Sequence, residues 1–543
     1  MVLKSWDKVN EAIQNASLIN NESIGLYESV LADLFETVDR IEESNHDLTV
    51  LIAQLLLSIS LDNPIVINYG NKFMNKAIEM NDSVYNLSLR CQYLIKMNKE
   101  KEALTLSTDI LKVYTGESPD VLLVLVLCYL VNGKKVEAKT QLEFLKHSHP
   151  KITRHIGYYH LEAIVEKNNN KPHEIIVSCT KNGIDIHLAN LQNMAYGNSY
   201  LVAINCDILI SMCQTLFEIA PLAPSKVVDP TLKEVSRILA IIHSNFPGID
   251  RAIYLLAKAK FLEFEIEEAE SLLKKCIDKP QQIAEVYLLM AQIQIQRRKI
   301  EEAEKYLDSG LSLNFKVKEH PLYHLTKALL LKQEKKIDES ILLLKQALTL
   351  PTFKENKNQS DSLHVSDNDK ISIYLELIDS LQMINNIKEA DQYMIQATEF
   401  CKGKPEEQQL FLMSAQLRIY RGDVDGGVQI LNNIAPQQPN YQMAQLKLAE
   451  IYMDEKKDPS KFAKCYQNIL ESNPTVETYM LLGDAYMSVQ EPLKAIEVYE
   501  TAMKKNPRDA YMSVQEPLKA IEVYETAMKK NPPLSMSQLV TGA

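Results

Sequence analysis

The chain has 543 residues, with 59 Lys and Arg against 71 Asp and Glu, for a formal net charge of −12. It has no long basic run, so a nucleic-acid partner is not expected, because phosphate binding needs clustered cations. The same shortage disfavours an anionic membrane surface. Aromatic residues are 7% of the chain and Gly numbers only 15, a composition that favours helix over strand. At this length the chain is three or four globular domains unless repeats account for it.

The opening residues, Met1 to Trp6, carry no charged-then-apolar leader, so secretion is not expected. The longest unbroken apolar run, Val121 to Val131, is far short of the roughly 20 residues that span a bilayer. No direct membrane insertion is expected. The eight cysteines include no CxxC pair, and the closest two are Cys206 and Cys213. They read as reduced, buried thiols of a cytosolic protein.

In chain order, residues 1–83 read as divergent helical repeats, with helical apolar spacing over Ile24 to Ile41 and a denser stripe from Leu48 to Leu61. From Val84 a register becomes visible. Leu87, Cys91, Leu94, Ala103 and Ile110 mark one unit; Leu122, Leu125, Tyr129, Gly133 and Ala138 mark the next. Thr153 to Cys179 predicts a further helix pair around the polar turn at Asn168. Leu188 to Pro247 predicts helices with a loop at Pro221, Pro224 and Pro230. Residues 84–249 are thus irregular repeats.

After Gly248 the register is clean, with units starting near 250, 284, 321, 371, 408, 442 and 476. Small residues recur where paired helices would cross, such as Ala257 with Ala269 and Ala291 with Ala303. Regular repeats therefore fill 250–354 and 371–508. Between them, the stretch 355–370 holds one Leu and one Val. It lacks the apolar area to offset the entropy of ordering and predicts a disordered polar insert.

The clearest unit runs from Val476 to Asp509. Tyr479, Leu482, Gly483 and Tyr486 share one face of a first helix, and Ala495, Tyr499 and Ala502 share one face of a second. Gly483 and Ala495 are read as small because the helices cross closely there. Pro507 ends the unit. These residues at these offsets are the tetratricopeptide signature. The fold predicted is all-α, a tetratricopeptide-repeat solenoid of antiparallel helix pairs stacked into a right-handed superhelix. Asp484 to Pro507 recurs unchanged as Asp509 to Pro532, which makes 509–532 a duplicated partial repeat and 533–543 a disordered tail.

No constellation carries chemistry. There is no phosphate-binding GlyxxxxGlyLys[Ser/Thr] and no GlyxGlyxxGly after a strand. His320 and His324 have zinc-protease spacing, but Pro321 stands where Glu would follow. That places His320 before a helix and His324 on its packing face. His147, His149, His155 and His160 have no nearby Cys. Glu267–Glu268 and Glu301–Glu302 begin second helices, where negative charge complements the helix dipole. No catalytic residue, cofactor or metal is expected. A clamp for the acidic tails of chaperones would want Asn where this chain has Asp484, which would repel a carboxylate.

Asn314–Leu325, Ser372–Asp379 and Leu481–Ile496 resemble the tetratricopeptide repeat protein 21 family, the long repeat subunit of intraflagellar transport complex A, over about residues 245 to 507. The chain resembles a partial or truncated member. The resemblance implies a non-enzymatic scaffold in retrograde ciliary transport, protein localisation to the cilium and cilium assembly. It implies the other subunits of complex A and ciliary cargo adaptors as partners. It also implies residence in cytoplasm and cilium, at the cilium base and axoneme and associated with the cytoskeleton. The alternative is a cytosolic tetratricopeptide adaptor or co-chaperone that binds peptide segments.

Overall fold

The computed structural model describes residues 24–505 apart from 61–62, 114–117, 170–172, 193, 196, 222–223, 226–228, 278–283, 314–316, 319, 351–366, 403–406, 437 and 439. Pro507, the duplicated segment 509–532 and the tail 533–543 lie outside the described residues, as does most of the polar insert. The described elements are helices, with no strand among the described residues. Two compact units divide the chain, Met1–Leu410 and Phe411–Ala543.

Local chemistry sets where these helices begin. Pro64, Pro119, Pro230, Pro321 and Pro459 each occupy the first turn of a helix, where a missing N–H is no loss and φ is already helical. Before four of them the side chains of Asn63, Asp229, His320 and Asp458 accept backbone N–H groups, satisfying donors that the first turn leaves free.

The turn inside eight of the described pairs has one recurring solution. Asn98, Gly133, Phe264, Arg298, Lys335, Asn385, Gly422 and Gln490 all have positive φ, two residues beyond the first helix. The next N–H then reaches back to the last turn: Lys99 N to Leu94 O at 2.9 Å, Lys299 N to Gln294 O at 2.9 Å, Glu491 N to Tyr486 O at 2.9 Å. This is the Schellman arrangement, which usually wants Gly. Gly133 and Gly422 supply it and Asn98 and Asn385 adopt it readily; at Phe264, Arg298, Lys335 and Gln490 the packing of the pair imposes the left-handed residue.

In the first unit the pairs follow one another from His46–Ile59 with Pro64–Met80 to Asp367–Met383 with Ile387–Cys401. First helices observed at Asp250, Ala284 and Pro321 stand beside the expected starts at 250, 284 and 321. The insert departs from its expected bounds. The next helix begins at Asp367, so the last four residues assigned to the insert are its first turn, with Asn368 and Lys370 buried. Periodicity missed them because their burial comes from distant contacts. The unit is also not stacked only through sequence neighbours: Cys206–Ile219 packs against His46–Ile59, and both contribute to one apolar cluster.

Asn205 and Asp207 interrupt the apolar run of Tyr200–Ile219. Among the described residues it is the segment long and apolar enough to cross a membrane by length and composition, with mean hydropathy 1.5. Here Asn205 takes the left-handed conformation, φ 48°, and separates Asn198–Ile204 from Cys206–Ile219. Leu209, Ile210, Met212, Cys213 and Leu216 are buried in the core.

In the second unit Tyr441–Asp454 pairs with Pro459–Ser472 and Val476–Ser488 with Pro492–Lys505.

Candidate functional site

The first helices of the first unit surround a cavity of about 1450 Å³, lined from Gln54 in His46–Ile59 to Ser372 in Asp367–Met383. Its wall mixes aliphatic side chains such as Leu89, Leu123, Leu255 and Leu289 with charged groups. The cations are largely neutralised in place. Lys96 meets Asp207 at 2.8 Å, Lys167 pairs with Glu218, and Arg251 lies 3.8 Å from Glu285. Paired cations leave little charge to attract a phosphate backbone.

Asp207, Ser211, Gln214 and Glu218 form one face of Cys206–Ile219, at i, i+4, i+7 and i+11. All four line the cavity. Lys96, His160 and Lys167 meet three of them from Val84–Lys96 and Ile156–Asn168. The helix therefore lies across the cavity, apolar side into the core and polar side toward the early repeats. Sequence reading missed this set; the polar stripe on an otherwise apolar helix was the signal that could have found it.

The histidines here are structural. His160 hydrogen-bonds Ser211 Oγ at 2.8 Å, and burial, reinforced by Lys96, pulls its pKa down to about 4. His155 Nδ1 accepts the Gly157 N–H, and burial lowers its pKa. His320 Nδ1 accepts from Leu322 N. His324, buried on the packing face, donates through Nε2 to Lys318 O at 2.8 Å. Among the described residues no three His, Cys, Asp or Glu converge to hold a metal ion. The cysteines are free. Burial raises Cys91 and Cys179 to about 12 and Cys128 and Cys465 to about 11, so all four stay protonated thiols at neutral pH and lack thiolate reactivity.

The signature residues lie elsewhere, in the second unit. Tyr479, Leu482, Tyr486, Ala495, Tyr499 and Ala502 form one buried cluster. A Cβ at Gly483 would lie 2.1 Å from Tyr499 Cε1, so the group of the second helix that leaves no room there is the Tyr499 ring. Tyr499 Oη donates to Asp484 Oδ1 at 2.7 Å, which gives Asp484 a structural partner. Gly70 repeats the arrangement, with Tyr93 Oη 2.3 Å from its would-be Cβ.

A family model described as the tetratricopeptide repeat protein 21 second ARM domain matches residues 29–298. A second, the tetratricopeptide repeat protein 21 ARM repeat, matches 315–469. The chain belongs to the tetratricopeptide repeat protein 21 family. A general tetratricopeptide repeat model also matches 284–316 and 476–509, the second span being the unit read most clearly from sequence. Within the family, the Caenorhabditis elegans tetratricopeptide repeat protein 21 homolog is 31% identical over 528 residues, covering 94% of this chain and 40% of the relative. Tetratricopeptide repeat protein 21B of Xenopus laevis is 34% identical over 392 residues, 71% of this chain and 30% of that protein. The chain thus spans at most two-fifths of the length of these relatives. Among solved structures, the Cut9–Hcn1 tetramer of APC/C is similar at 12% identity and a TM-score of 0.35 over 86% of this chain and 94% of that one, too loose a superposition to argue from. The fold is an all-α solenoid of tetratricopeptide and ARM repeats.

Proposed function

We propose that this chain is a non-enzymatic scaffold within intraflagellar transport complex A, acting in retrograde ciliary transport, localisation of proteins to the cilium and cilium assembly. Family membership over residues 29–298 and 315–469 carries the reading. The site chemistry supports it: the cavity-facing His160 is held neutral, the cavity cations Lys96, Lys167 and Arg251 are paired with carboxylates, and repeat surfaces act through many shallow contacts. Its partners are the other subunits of complex A and ciliary cargo adaptors, and its place is the cytoplasm and the cilium, at the base and along the axoneme.

The test is affinity purification of the tagged chain from ciliated cells. Co-purification of complex A subunits is the expected result, and their complete absence overturns the proposal.

A further inference from the structure

Asn368 ties together two helices about 150 residues apart. Its Nδ2 donates to Phe217 O at 3.1 Å and to Glu218 O at 2.9 Å. Those carbonyls belong to the last turn of Cys206–Ile219, where helix geometry leaves C=O groups without internal donors. For Phe217 the shortage is built into the sequence. Its partner would be the N–H four residues on, and residue 221 is proline, which has none. A side chain from another repeat therefore caps this helix.

Asn368 is 6% exposed and lines the cavity beside Phe217 and Glu218. Its Oδ1 has no hydrogen-bond partner, so the amide donors alone hold the contact; turning the amide over would set its oxygen against two carbonyl oxygens. Apart from this cap, Cys206–Ile219 and Asp367–Met383 are not among the broadly packed helix pairs. On its other side Cys206–Ile219 is held to the early repeats through Lys96–Asp207, His160–Ser211 and Lys167–Glu218. The helix lies across the cavity, packed against the early repeats and tied to them by these three polar contacts; toward the late repeats Asn368 caps its end and Lys258 lies over its Phe217 ring, 5.7 Å from the centroid.

We propose that Asn368 is a latch: by capping the Cys206–Ile219 helix it holds two distant walls of the cavity together, and its release lets them move apart without unfolding the repeats. Solenoid repeats draw their stability from neighbouring repeats, so a contact between distant ones can break while every local pair stays intact.

The test uses the full chain with Asn368→Asp, which keeps the side-chain volume, removes the donors and sets a carboxylate against the two carbonyls, and with Asn368→Ala. Amide exchange is followed in segments 212–221 and 367–378, with radius of gyration from X-ray scattering and helicity from circular dichroism. Losing two part-buried hydrogen bonds corresponds to roughly tenfold or more faster exchange in those two segments. The expected result adds a larger radius, unchanged helicity, and unchanged exchange over 250–313. Wild-type exchange and radius in both variants would mean that packing alone holds the two walls together. Faster exchange throughout the first unit with lost helicity would make Asn368 a core residue and no latch. Either outcome overturns the proposal.

Discussion

Replacing Gly483 by Ala separates two opposing effects. In a helix interior Gly→Ala ordinarily stabilises by about 0.5–1 kcal/mol, because Gly loses more backbone freedom on folding. Here the new methyl would lie 2.1 Å from Tyr499 Cε1, 2.4 Å from Cζ and 2.8 Å from Cδ1, well inside van der Waals contact. The ring cannot simply swing aside, since Tyr499 is fully buried and its hydroxyl is bound to Asp484. Overpacking of this kind costs about 1–3 kcal/mol, and breaking the Tyr499–Asp484 bond adds about 1 kcal/mol. The net expectation is a loss of roughly 1–3 kcal/mol, read by urea unfolding alongside amide exchange over 476–502. In a Tyr499→Leu background the same substitution should become neutral or stabilising, because the ring that opposes the methyl is gone. A Gly483→Ala chain as stable as wild type with Tyr499 intact would refute the reasoning.

His160, with its pKa held near 4 in the fold and about 6.5 when unfolded, binds fewer protons folded than unfolded. Its contribution is therefore present above the unfolded value and fades as pH falls toward the folded one. Stability should drop by about 2 kcal/mol between pH 7.5 and 5 from this residue, and His160→Gln should flatten the slope measured by urea unfolding. Lys332 donates to Glu376 and Asp379, each at 2.5 Å. Lys332→Met strands two carboxylates and should destabilise by about 2–3 kcal/mol, less than for a fully buried pair. Burial already raises the Glu376 pKa, so this loss should shrink as pH falls and that carboxylate takes a proton; a loss that grows in acid would contradict the assignment. Arg298 holds φ at 61°, a conformation that costs an ordinary residue about 1–2 kcal/mol. Arg298→Gly should therefore leave the chain equally stable or raise stability by up to about 1 kcal/mol, against the entropy that Gly adds to the unfolded chain. A clear drop in melting temperature would show the turn to be unstrained.

Much of the fold is legible in the residues alone because it rests on local rules. Apolar spacing of 3.6 gives the helices, prolines mark their starts, and a repeated stripe identifies units that must stack to bury it. Tyr479, Leu482, Tyr486, Ala495, Tyr499 and Ala502 declare themselves this way, as do the first helices at 250, 284 and 321. The left-handed turns at Phe264, Arg298 and Lys335 do not. Nothing in a Phe or an Arg announces positive φ; it is imposed by the closing of two packed helices.

The sequence by itself determined an all-α repeat protein, since periodicity and signature act over a few dozen residues, and its family resemblance rests on stretches such as Leu481–Ile496. Only the tertiary structure decided what those repeats enclose. The polar stripe of Cys206–Ile219 acquires meaning when Lys96, His160 and Lys167 face it. Asn368, read as part of a polar insert, becomes a buried cap for a helix about 150 residues away. Contacts at that distance depend on how many small rotations between repeats add up, a sum that no local pattern records.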